Sequence, residues 1–169
     1  MSISKDVTAA PTDGHARPHI DRIEQRMIEI LQLDGRKTVR QLAKEAGVSE
    51  LTARRKLRRL TEEDIIRVVA TVDPFDVGYQ TPAIIGLRVD PSRLEEVAEA
   101  VSQLPNVVYV AATTGSIDLI VEVMARTNQD LADFLLKHLS GIPGVTSSET
   151  NLVIRIFRQS WAWGIRADG

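Results

Sequence analysis

The 169-residue sequence has no cysteine, only three histidines, and 4% aromatic residues. Without thiols there are no disulfides, thiolate metal centres or cysteine nucleophiles. His15 and His19 fall in the polar N-terminal stretch, which leaves little for an imidazole metal site or a histidine base elsewhere. No catalytic residue, metal or other cofactor is therefore expected. No run approaches the roughly 18 apolar residues of a membrane span. The N-terminus also lacks the apolar segment of a secretory signal, so the expectation is a cytoplasmic protein without a membrane partner.

What is present is 43% apolar residues, enough for one ordinary core or two small ones at this length. The net charge of -2 conceals an asymmetry: residues 1–72 carry 14 Lys and Arg against 11 Asp and Glu, whereas residues 73–169 carry 7 against 12. Five of the fourteen N-terminal cations fall between Arg54 and Arg59, so the halves are suited to different partners.

Residues 1–17 have almost nothing to bury and are expected to be a disordered tail. Residues 18–64 are read as a DNA-binding unit of three helices. The spacing of Ile20, Ile23, Met27, Ile30 and Leu31 follows one helical face, with a glycine stop expected at Asp34-Gly35. Thr38 with Gln41 forms a capping-box pattern that opens a short helix ending at Gly47, and Ser49 caps a third helix to about Thr61. Two helices joined by so tight a turn read as a helix-turn-helix. The β-branched run 65–72 predicts a strand within a linker and hinge, 65–80.

Residues 81–159 then alternate as strand 83–89, helix 91–103, strands 107–113 and 117–124, helix 128–139 and strand 152–157. This βαββαβ order is that of a ferredoxin-like sandwich, so the fold class is α+β with a winged-helix-like head. Leu104-Pro105-Asn106-Val107 is echoed 38 residues later by Ile142-Pro143-Gly144-Val145, an internal duplication. Both sheet faces carry apolar residues, with Ile84, Val108, Val110, Ile120 and Val153 opposing Ile85, Val107, Tyr109, Leu119, Val121 and Ile154. Sheet-to-sheet dimerisation is expected from this pattern. Residues 160–169 form a C-terminal tail with Trp161 and Trp163, for which packing without a binding role is the default. His138, in the stripe of Leu131, Phe134 and Leu135, is expected to be partly buried and hydrogen-bonded.

On a helical wheel of the third helix, Ala53, Leu57 and Leu60 share one sector. Leu51, Arg54, Arg55 and Arg58 lie opposite, with Thr52 and Arg59 on the flank. Such a helix fits the major groove of double-stranded DNA, where arginine pairs with guanine, threonine serves several bases and leucine meets a thymine methyl. Glu50, Leu51, Thr52 and Arg55 are expected to read bases, while Arg58, Arg59 and Lys56 meet phosphates and Arg54 adds to the same surface. An isolated cationic helix is as readily a solvated face. The capped helix and tight turn before it favour DNA.

The stretch IDRIEQRMIEILQLDGRKTVRQLAKEAGVSELTARRKLRRLTEEDII, the junction VDPFDVGY, and RVDPSRLEEVAEAVSQLPNVVYVAATTGSIDLIVEV followed by IPGV resemble the Lrp/AsnC, or feast/famine, transcription regulators over about residues 20–158. The resemblance implies an N-terminal helix-turn-helix and a C-terminal domain that dimerises, often assembles to tetramers or octamers, and binds a free amino acid at its interfaces. The genes controlled would serve amino-acid metabolism or transport. The family's effector loop is similar to Thr114-Gly115-Ser116-Ile117-Asp118. Backbone N–H groups around a glycine suit a carboxylate, and Asp118 suits an ammonium. From spacing alone the segment is equally a hairpin turn. The chain departs from the family at Ser116 and Ile117, where members usually carry an acidic and then an aromatic residue. Two other readings are a siroheme-decarboxylase-like enzyme, disfavoured by the single histidine and net negative charge of residues 73–169, and a stand-alone amino-acid-sensing module, disfavoured by the basic helix.

Overall fold

Asp21 opens the first helix, α1 (Arg22–Leu33), accepting from the Ile23 and Glu24 N–H groups while the Glu24 carboxylate reaches back to the Asp21 N–H. This capping box satisfies orphan donors at both ends of the exchange. The computed structural model describes residues 19–159, so the expectations for the N-terminal tail 1–17 and for Trp161 and Trp163 lie outside the described residues. The described chain divides after Ala70 into two compact units.

In the first unit, Thr38 caps α2 (Val39–Ala46) through the expected box with Gln41, and Gly47 ends it in the left-handed conformation at φ 70°. Ser49 caps α3 (Glu50–Glu62). Met27, Ile30, Leu42, Ala43 and Ala53 close the core, with Ile23, Val39, Val48 and Leu57 packed on it. The stop of α1 differs from expectation. Asp34 ends the helix in an extended conformation, and Gly35 instead permits close approach, since a Cβ there would lie 3.1 Å from Val68 Cγ1.

The expected strand 65–72 does not form. Backbone N–H groups of Ile65 and Ile66 turn back onto the Leu60 carbonyl, and Val68, Val69 and Val72 are exposed. β-Branched composition alone does not make a strand; a partner edge is needed to satisfy its backbone, and none pairs with this segment among the described residues.

The second unit is a four-stranded antiparallel sheet in the order β2-β3-β1-β4, built from β1 (Thr81–Val89), β2 (Val107–Ala112), β3 (Leu119–Ala125) and β4 (Val145–Leu152). A short 3-10 turn capped by Asp90 leads into α4 (Leu94–Ser102). Thr127 caps α5 (Asn128–Asp133), which continues as a π-helix over Phe134–Leu139. Val97 and Val101 of α4 and Leu131, Phe134 and Leu139 cover one sheet face, burying Ala83, Ile85, Leu87, Leu119, Val121 and Val123.

Three expectations in this unit are corrected. The last strand is 145–152 rather than 152–157; it pairs Val89 with Val145 and Ala83 with Leu152, while Ile154 and Phe157 stand exposed. As an edge strand of Ser, Thr and Glu it lacks the apolar alternation that identifies buried strands. Secondly, a bulge between Val107 and Tyr109 reverses the expected faces: Val110 opposes Val121 over the core, and Tyr109 opposes Glu122 on the open face. Thirdly, His138 is exposed. The wider π-turn advances the apolar stripe from Phe134 to Leu139, so position 138 leaves it.

The internal repeat has a structural counterpart. Asn106 and Gly144 both adopt left-handed backbone, φ 67° and 104°, immediately before edge strands β2 and β4. Glycine occupies the second position because a Cβ there would meet Val97 Cγ2 at 2.9 Å.

Candidate nucleic-acid interface and ligand loop

The basic side chains of α3 divide into two sets. Arg54 and Arg55 are exposed and have no hydrogen bond or ion pair among the described residues, and Arg58 only approaches Glu62 at 3.7 Å. Together with Leu51, which is 79% exposed, and Thr52, these three line a shallow open depression of about 430 Å³. The Thr52 hydroxyl lies 2.9 Å from that of Ser49, and Glu50 sits 3.9 Å from Arg40 of α2. Ala53 and Leu60 are fully buried on the opposite side. A single face therefore presents three cations, a hydroxyl and an isobutyl group, the functional types that contact phosphates, base edges and thymine methyls.

Lys56 and Arg59, the other two cations expected to meet phosphates, are engaged in ion pairs within the first unit. Arg59 donates to both carboxylate oxygens of Glu24, at 2.7 and 2.8 Å, to Glu63 at 3.1 Å and to the His19 carbonyl at 3.1 Å. Lys56 binds Asp21 and lies 3.5 Å from Glu24. Both flank the buried side of α3, where a desolvated carboxylate takes precedence over solvent. Glu24 is only 1% exposed. Burial pushes its carboxyl up, but the Arg59 hydrogen bond, the Asp21 N–H and the Lys56 charge outweigh this and hold it below the ordinary glutamate range. Asp21 is also lowered, chiefly by Lys56. Sequence reading missed Glu24, although the Asp21-x-x-Glu24 spacing at a helix start was a readable signal.

In the second unit, residues 114–118 connect β2 to β3. Thr114, Gly115 and Ser116 are exposed, and Gly115 has φ 109° with open space around it. The base of the loop is tied down: the Thr113 N–H donates to the Asp118 carbonyl, the Thr113 hydroxyl to the Ile117 carbonyl, and the Asp118 N–H to the Leu87 carbonyl. Asp118 Oδ2 accepts from the Val89 N–H at 2.9 Å, which leaves Oδ1 without a hydrogen bond among the described residues. The Ile117 side chain folds over Gly86, where a Cβ would come within 2.7 Å of it. Asp118 is thus part of the framework between β3 and β1. Asp118→Ala is expected to cost about 1.5–3 kcal/mol in stability with no ligand present, read as a lowered denaturation midpoint. An unchanged midpoint would show that the Val89 contact carries no weight.

On the open sheet face, Ile84, Tyr109 and Val108 are 42, 53 and 57% exposed. Glu122 stands between Ile84 and Tyr109 in the register, and burial pushes its carboxyl up. Among the described residues no group of His, Asp or Glu could hold a metal ion, and no helix is long and apolar enough to cross a membrane.

Comparison with known proteins matches residues 20–67 to a winged helix-turn-helix DNA-binding family and residues 82–162 to the Lrp/AsnC ligand binding domain. The HTH-type transcriptional regulator FL11 of Pyrococcus horikoshii is 32% identical over 145 residues, covering 85% of this chain and 95% of that protein. LrpA of the same organism is 31% identical over 128 residues, covering 75% and 91%. Among solved structures, AsnC of E. coli superimposes with TM-score 0.73 at 24% identity, covering 84% of this chain and 97% of that one. A Neisseria meningitidis regulator in complex with L-Met gives 0.74 at 22%, covering 85% and 95%. The structural likenesses establish the shared fold. A helix-turn-helix with a cationic outer face, followed in the chain by a ligand-binding ferredoxin-like domain, defines a DNA-binding transcriptional regulator and not an enzyme. The chain belongs to the Lrp/AsnC family of such regulators.

Proposed function

We propose that this regulator recognises specific sites in double-stranded DNA through the outer face of α3 and answers to a small amino acid bound at loop 114–118. Arg55 and Thr52, with Leu51 and Glu50, read base edges, and Arg54 and Arg58 meet flanking phosphates. The observation that carries this reading is the cluster of three exposed arginines, two of them without an ion pair among the described residues, on the side of α3 opposite its core contacts.

The effector reading is supported by the matched ligand-binding family and by the open tip at Thr114, Gly115 and Ser116. Backbone N–H groups there receive a carboxylate, and Asp118 Oδ1 receives the ammonium. The regulator acts as a homodimer, or a higher assembly of such dimers, through the open apolar sheet faces. It works in the cytoplasm at the nucleoid, on genes of amino-acid metabolism or transport. Effector binding changes the packing between dimers and so the affinity for DNA, because only differential binding to two arrangements shifts their balance.

A thermal-shift screen of the common amino acids tests the effector. A ligand at about 100 times its dissociation constant adds roughly 2.7 kcal/mol to stability. One amino acid or a chemically related group is expected to raise the melting temperature and to alter DNA affinity. A flat response across the whole panel would refute amino-acid sensing.

A further inference from the structure

Five cations lie on α3 between Arg54 and Arg59, yet only three face outward. Arg59 sits one turn beyond Arg55 on nearly the same side, within a side chain's length of the surface expected to meet DNA. It is turned away by Glu24, whose two oxygens it holds at 2.7 and 2.8 Å, and Lys56 is turned away by Asp21 and Glu24. We propose that Glu24, with Asp21, is a specificity-determining positioning residue that withholds Arg59 and Lys56 from phosphate, so that α3 meets the duplex with Arg54, Arg55 and Arg58 alone. The inference rests on the DNA-binding reading above.

The physical basis is an asymmetry of burial. A surface ion pair would open readily in favour of a phosphate, because it is weak in water. The pair at Glu24 resists opening, since departure of its cations would leave a carboxylate that is 1% exposed in the paired state with only the Asp21 N–H to satisfy it. Each extra cation on phosphate adds a sequence-independent term through counterion release, whereas discrimination comes from base contacts. Withholding two of five cations therefore lowers affinity for random DNA while leaving the base-reading set intact. Glu63, which shares Arg59 at 3.1 Å, acts in the same direction from the exposed side.

The test is the salt dependence of binding by the full chain to a random-sequence duplex, from about 50 to 200 mM salt. Folding is checked by thermal melting. Glu24→Gln is expected to steepen the slope of log affinity against log salt by about 1 and to reduce the ratio of specific to random binding. Arg59→Gln leaves the wild-type slope unchanged, and Glu24→Gln combined with Arg59→Gln returns the slope to wild type. A purely structural role for Glu24 would not steepen the slope. A folded Glu24→Gln chain with an unchanged or flatter slope overturns the inference, as does an Arg59→Gln chain whose slope is flatter than wild type by about 1.

Should Glu24→Gln not fold, Asp21→Asn carries the test. Asparagine caps a helix as well as aspartate, the Asp21 side chain is 41% exposed, and loss of the closer of the two Lys56 ion pairs, Glu24 standing off at 3.5 Å, is expected to let Lys56 reach phosphate and steepen the slope by about 1. An unchanged slope there overturns the inference. A wild-type chain that retains no duplex even at low salt overturns the DNA reading itself, an outcome distinct from all of these.

Discussion

Arg55→Ala is expected to weaken binding to a specific duplex by about 1–3 kcal/mol, roughly 5- to 150-fold, and to relax the preference at one base pair. Arg55 is exposed on the first two turns of α3 and has no ion pair among the described residues, so its replacement removes a DNA contact without unpairing an internal partner. Stability is expected to stay within about 0.5 kcal/mol of wild type, as for other surface substitutions. Arg58→Ala, at the phosphate-facing end, weakens specific and random duplexes alike and flattens the salt slope by about 1. Competition binding with specific and random duplexes separates the two. Identical behaviour of both variants on both duplexes would refute the division into base reader and phosphate anchor.

Glu24→Ala has the largest expected effect on stability, lowering that of the N-terminal unit by about 2–3 kcal/mol. Removing one member of a buried pair commonly costs more. Here Arg59 is 35% exposed and keeps Glu63, and Lys56 keeps Asp21, so solvent and the remaining carboxylates soften the loss. The same cluster sets an acid limit. Glu24 and Asp21 are both held below their ordinary values of 4.5 and 3.8. At neutral pH the unfolded chain also has both ionised, so their stabilising contribution is fully present. It is lost as the pH falls below about 4.5 and through the lowered folded-state values, where the unfolded chain binds protons first. Urea midpoints between neutral pH and pH about 3 are expected to fall more in wild type than in Glu24→Ala. Equal falls would place the acid limit elsewhere.

The helix-turn-helix was legible because its signals are local. Thr38 with Gln41, Gly47 and Ser49 each fix a helix end through chemistry within a few residues, and the structure places the caps at those positions. The apolar sector of α3 was equally legible, with Ala53 and Leu60 fully buried. What escaped depended on partners distant in sequence or on a change of helical pitch. Period counting could not register the bulge at Val107–Tyr109, so it exchanged Tyr109 with Val110. An α-helical period cannot foresee a π-turn, and it drew His138 inward. Strand 145–152 presents no apolar stripe, yet the internal repeat already pointed to it: Val145 stands where Val107 stands, immediately after a left-handed residue.

The division among the cations was the least legible feature of the candidate site. A helical wheel puts Arg59 on the flank of the cationic face and does not foresee its ion pair. The partner is a carboxylate 35 residues earlier in the chain, buried where α1 begins. For the ligand loop, spacing left a hairpin turn and a ligand site equally open, and only the family resemblance favoured Asp118 as an acceptor; one of its oxygens already holds the Val89 N–H.

The most direct test of the account is the binding of a fluorescent duplex by the chain in which Arg54, Arg55 and Arg58 are all replaced by alanine, measured across a salt series beside wild type. The prediction is an unchanged melting temperature with loss of specific binding and a salt slope smaller by about 2, one for each of the phosphate contacts of Arg54 and Arg58. A folded triple variant that binds the duplex with wild-type affinity and slope would contradict it.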